Sequence, residues 1–150
     1  MMKKLKVKPL LKETYLQMIK NSLGSKSFRN VYAIVNNKKT DITKNGDSSC
    51  ALFVSSILVI FKLIKEMHVT VNGTIKDMRE NGWQEIKKPK EGCILVWKEK
   101  ETGEKHKHIG FYIGDNKAIS NSSKRGYPTK HNWAKYDNRA VEFIFWNPKL

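Results

Sequence analysis

Fifteen consecutive residues, Cys50 to Ile64, read CALFVSSILVIFKLI and constrain this chain more than any other stretch of it. A run so apolar either crosses a membrane or is buried in a protein core. A spanning helix needs about 20 such residues, and this run contains Lys62 and is closed by Lys65 and Glu66, so the expectation is a helix buried inside a folded domain and no transmembrane segment. Asp47, Ser48 and Ser49 stand just before it, and their short polar side chains are the kind that accept from the free N–H groups of a helix start.

The 150 residues make one domain the natural expectation, spanning 1–150, with a core at 47–146 and residues 1–30 as an N-terminal helical extension. In that extension Leu11, Tyr15, Met18 and Ile19 recur at helical spacing and Gly24 marks the stop, predicting a helix over about 12–23 that packs outside the core. Residues 30–35 are a short apolar stretch, and 36–46 read as a polar loop. Thr74 and Asp77 have the spacing of a capping box, predicting a short surface helix that stops at Asn81-Gly82. Beyond it the period changes to that of strands: 83–86, 93–98, 108–113, 118–121 and 141–146. With Thr102-Gly103 and Asp115-Asn116 as turns, the second half reads as an antiparallel meander, and the whole as an α+β fold.

Charge narrows the partners. Lys and Arg number 29 against 14 Asp and Glu, a formal net charge of +15, which favours an anionic polymer, an anionic lipid surface or nucleic acid. Two cysteines are too few for a disulfide framework, and no Cys and His spacing matches a structural zinc site. Lys6, Lys8 and Lys12 interrupt the apolar residues at the N-terminus, so the expectation is synthesis in the cytoplasm without a signal peptide.

The chemistry is expected at Cys50, which falls on the first turn of the apolar helix. A helix start carries roughly half a positive charge, which favours thiolate over thiol. Cys93, at the start of a strand, reads as a small buried residue. A thiol nucleophile needs a base, and of His68, His106, His108 and His131 only His108 begins a regular strand, sharing a face with Gly110 and Tyr112. His106 has the same parity but sits nearer the turn, as a flanking residue.

The order of a capped Cys helix, Gly92 to Trp97 (GCILVW) and His108 to Gly114 (HIGFYIG) resembles the NlpC-like cell-wall peptidases and the related CHAP amidases, over roughly 47–121. The resemblance implies a papain-like fold, Cys50 as nucleophile, His108 as base, and amide bonds of peptidoglycan as substrate. No metal or organic cofactor is needed for that chemistry. Family spacing places Ser120 as the third residue. A two-residue turn at Asp115-Asn116 would instead pair Gly110 with Asn121, and Asn121 is the favoured partner for His108 because its amide is the more directional acceptor. Trp133 and His131, read as part of a polar loop, are expected to line a substrate groove. The expected partner is peptidoglycan or another anionic envelope polymer, reached after release to the cell wall of a bacterium or its phage. The alternative is a non-catalytic basic module that binds nucleic acid through a strand platform.

Overall fold

A computed structural model describes residues 2–103 and 105–150, and it is an α+β arrangement of three helices against an antiparallel sheet. Helix α1 spans Leu11–Asn21 and buries Tyr15, Leu16 and Ile19. It does not lie outside the core as expected: Tyr15 and Ile19 join the main apolar cluster, and the Tyr15 hydroxyl donates to the carbonyl of Gly92 at 2.8 Å. The segment expected to be loop is a hairpin, β1 (Tyr32–Val35) and β2 (Lys38–Asp41). Its turn residues Asn36 and Asn37 both have positive φ, 48° and 63°, a conformation that Asn tolerates and a two-residue hairpin turn requires.

Helix α2 spans Cys50–Ile60, so the apolar run outlasts the helix. Lys62 takes φ 55°, its N–H donates to Val59, and the N–H of Leu63 reaches back to Leu58, the pair of bonds that closes a Schellman motif. Leu63 and Ile64 are then folded back into the core and remain buried although they are no longer helical. Helix α3 spans Val71–Glu80 and is capped by Thr70, whose hydroxyl accepts from Gly73 N–H; Thr74, the residue expected to cap it, lies inside the helix. Its Asp77 is buried rather than surface-bound.

The main sheet contains β3 (Gln84–Glu85), β4 (Ile94–Trp97), β5 (His108–Tyr112), β6 (Lys117–Ser122), β7 (Tyr127–Asn132), β8 (Lys135–Tyr136) and β9 (Arg139–Trp146). Its order is β3-β9-β4-β5-β6-β7, with β8 paired to β9. Of the expected strands only β4, β5 and β6 run as a meander, extended by β7, which was read as loop; β9 returns to the other side of β4. Alternation along the strands divides the core in two. Ile94, Val96, Ile109, Phe111, Ile119 and Phe145 pack with the helices, and Cys93, Leu95, Trp97 and Ala118 form a second cluster with Trp133 and Tyr136 against it. Helix α2 lies on β5 and β6, which brings its start to the edge of the strand that begins with His108. No helix among the described residues is long and apolar enough to cross a membrane.

Candidate functional site

The loop that leads into α2 is held in three ways. The Asp41 carboxylate accepts from the N–H groups of Val31, Thr43 and Asn45 and from the Asn30 amide; burial would raise its pKa, and these bonds together hold it well below the usual carboxylate range. Gly46, at φ +90°, lies against the backbone of Gly126, where a Cβ would come within 2.6 Å of the Gly126 Cα. The Asn121 amide donates to the Gly46 carbonyl at 2.8 Å. The β6–β7 turn thereby fixes the approach to Cys50.

Cys50 opens α2 as expected, and no side chain caps the helix start: the Ser49 hydroxyl turns back to the Gly46 carbonyl. The thiol is half-buried in the wall of an open cavity. Its pKa is not lowered as the helix position suggested. Burial pushes it above the ordinary thiol value, against the opposing pull of the Ile109 and Ala51 N–H groups, the Arg139 guanidinium and the thiol's own N–H. Cys93 is fully buried and pushed up to about 12.

His108 faces away from α2, in the layer of Trp97, and meets the same cavity as Cys50 at the sheet's end. Its ring is stacked on Tyr136, with centroids 3.5 Å apart and planes 9° from parallel. Its Nε2 is 2.9 Å from Ser120 Oγ. The β5–β6 register pairs Gly110 with Ser120, not with Asn121 as the two-residue turn required. The reason lies in the turn: Ile113 pairs with Lys117 across Gly114, Asp115 and Asn116, all with positive φ, so a third residue sits in the loop and shifts the register by one. Ser120 therefore shares the face of His108, and Asn121 points to the helix side, where it holds Gly46. Gly110 has no open space beside it. A Cβ there would meet Ser120 Cβ at 2.7 Å and Trp97 at 3.1 Å, so the missing side chain is what admits Ser120 beneath His108. Burial, with Arg139 and His131 nearby, holds the His108 imidazole well below its ordinary value, so it is neutral at neutral pH.

The cavity, of about 510 Å³, brings together Cys50, His106, His108, Tyr136 and Arg139. Its charged lining is mostly basic, Lys44, Lys100, Lys105, Lys107 and Arg139 against Asp47 and Glu99. Trp133 and His131 do not line it. Both belong to the region of β7 rather than to a loop: Trp133 packs edge-on against Tyr112 and its carbonyl accepts from Trp97 Nε1, while His131 Nε2 lies 2.7 Å from Ser120 Oγ. Tyr136 and Arg139 were missed. They face each other across the β8–β9 hairpin, whose turn residues Asp137 and Asn138 have φ 48° and 61°; the Asp-Asn pair between short β-prone stretches was the available signal. Arg139 Nη1 donates to the His106 carbonyl at 2.8 Å, and its guanidinium lies over the Tyr136 ring. Among the described residues no group of three or more His, Cys, Asp or Glu gathers as metal ligands would.

The chain matches no known protein-family profile and no curated protein.

Proposed function

We propose that the protein is a papain-like cysteine hydrolase, of the kind represented by the NlpC-like peptidases and CHAP amidases, that cleaves an amide bond in peptidoglycan. The observation that carries this reading is the convergence on one cavity of Cys50, from an uncapped helix start, and His108, from the head of a strand, with Ser120 behind the imidazole. A thiol at an uncapped helix start has N–H groups beside it that can hold an oxyanion as the carbonyl is attacked.

With Cys50 pushed up and His108 held down, the resting pair is a neutral thiol and a neutral imidazole. His108 then acts as general base: it takes the Cys50 proton while sulfur attacks the amide carbonyl, and it returns that proton to the leaving amine. A water activated by the same imidazole cleaves the thioester and restores the thiol. Arg139 and the lysines of the lining suit a substrate that carries carboxylates, as peptidoglycan stems and other anionic envelope polymers do. The protein would act at the cell wall.

The test is digestion of purified peptidoglycan with mass analysis of the fragments. New amine and carboxyl ends from the wild type, and none from Cys50→Ala, are expected. Fragments from Cys50→Ala would end the reading, and tight, salt-sensitive capture of DNA or RNA without cleavage of wall material would favour a nucleic-acid-binding module instead.

A further inference from the structure

Behind His108 the hydrogen bonds form a chain across three strands. His108 on β5, Ser120 on β6 and His131 on β7 are diagonal neighbours on one face: Gly110 pairs with Ser120, Ala118 with His131. Successive links are 2.9 Å from His108 Nε2 to Ser120 Oγ, 2.7 Å from Ser120 Oγ to His131 Nε2, and 2.8 Å from His131 Nδ1 to the carbonyl of Asn132. His108 and Ser120 are 5% and 0% exposed, so the link between them is closed to water, while His131 is half-buried.

The chain has a direction because its far end is a carbonyl, which only accepts. His131 must donate from Nδ1, so in its neutral form its Nε2 is an acceptor. Ser120 has one hydroxyl hydrogen, which goes to that acceptor, and its remaining lone pair faces His108 Nε2. His108 must then carry its hydrogen on Nε2 and leave Nδ1 as the bare nitrogen. His131 is neutral at neutral pH because burial holds its imidazole below the ordinary value, against the carbonyls of Asn132 and Lys135. His108 Nδ1 has no hydrogen-bond partner among the described residues, and the residue lines the cavity with Cys50.

We infer that His131 is a positioning residue which, through Ser120, fixes the Nε2–H tautomer of His108 and so presents an unprotonated Nδ1 to the cavity. Its part in turnover rests on the hydrolase reading; the tautomer does not. A Ser hydroxyl alone rotates freely and serves either tautomer. The second imidazole removes that freedom by taking the hydroxyl hydrogen, so the three residues together do what a single directional amide would do. The His131 ring also packs against Trp97 and Tyr136, with centroids 5.4 Å from each.

The experiment is long-range proton–nitrogen NMR on protein labelled with nitrogen-15 in histidine, at neutral pH and without substrate. The expected result is a single tautomer for each ring, with the hydrogen on Nε2 of His108 and on Nδ1 of His131. A hydrogen on Nδ1 of His108 overturns the inference. In His131→Phe, which keeps a ring against Trp97 and Tyr136 but loses the acceptor, His108 is expected to become a mixture of tautomers. In His131→Gln, whose amide oxygen accepts from Ser120, it is expected to stay fixed. On a cleaved substrate, kcat should fall roughly 10-fold to 100-fold in His131→Phe with KM unchanged and recover in His131→Gln. An unchanged tautomer and kcat in His131→Phe would also overturn the inference. Because the NMR result needs no turnover, a failed relay and a failed hydrolase reading give different outcomes.

Discussion

At the scale of single residues, two neighbours in sequence have been separated by one position of strand register. Ser120 lies under His108, while Asn121 holds the loop before Cys50 by its bond to Gly46. Both are buried, so loss of either is felt, but differently. Ser120→Ala should keep most of its stability and lose turnover; Asn121→Ala should lower the melting temperature and affect turnover through the position of Cys50. Measuring kcat and melting temperature for both variants decides this, and a Ser120→Ala enzyme of full activity would remove Ser120 from the site. The two cysteines make a second contrast. Cys50 should be alkylated by iodoacetamide in the folded protein and Cys93 only on unfolding, because Cys93 is wholly buried and held up at about 12. The midpoint for Cys50 against pH should lie at or above the roughly 8.5 of a free thiol, since burial outweighs the helix start. A midpoint in the acid range would mean a preformed thiolate–imidazolium pair and a different resting state.

At the scale of elements, the cavity owes its shape to segments with little regular structure. Residues 61–70 run from the end of α2 to the cap of α3, and Asp77 organises them: its carboxylate accepts from the N–H groups of Lys65 and Glu66, lies 2.7 Å from His68 Nε2, and accepts from the Asn81 amide. Burial alone would raise this carboxyl; the bonds, His68 first, keep it lowered. Removing it strands several donors at once, so Asp77→Ala should destabilise by about 3 kcal/mol, read from denaturant midpoints. A loss of only a few tenths would mean that water replaces the carboxylate. Val69 and Thr70, which this segment delivers to the cavity wall, should shift in the same variant and raise KM. The β8–β9 hairpin plays the corresponding part on the other wall, where Tyr136 covers one face of His108 and Arg139 covers Tyr136.

At the scale of the whole molecule, pH dependence follows from groups that burial keeps neutral. His108 is well below, and His131 below, the ordinary imidazole value, so under about pH 6.5 the unfolded chain binds protons that the folded chain refuses, and stability falls as pH falls. Cys50, Cys93 and Tyr15 are raised, so above about pH 8.5 the unfolded thiols release protons that the folded chain keeps, and stability falls again as pH rises. The melting temperature should therefore peak between those limits. Scans in high salt, which suppresses the self-repulsion of a +15 chain, isolate the effect. A melting temperature that stays level from neutral pH down to about 5 would show that the two imidazoles titrate normally in the folded state.

Local sequence determined what depends on neighbours along the chain. The length and continuous apolarity of the run made α2 a buried helix, with Cys50 at its first turn, and the shorter stretch from His108, closed by the Asp115-Asn116 turn, made β5, a strand buried on both faces. Strand β9 was legible from residue 141 onward, but the β1–β2 hairpin and β8 were hidden: β1 is four residues long and mostly exposed, β2 and β8 are short and polar, and both turns rest on positive φ, at Asn-Asn and Asp-Asn. Other outcomes were settled only by contacts between distant segments. One extra loop residue chose Ser120 over Asn121, and the pairing of β6 with β7 carried His131 from an apparent loop to the back of His108. The state of the Cys50 thiol was decided in the same way. A helix start alone lowers a thiol, but packing α2 against β5 and β6 buries it, and at that site the cost of burying a charge exceeds what a few N–H dipoles return.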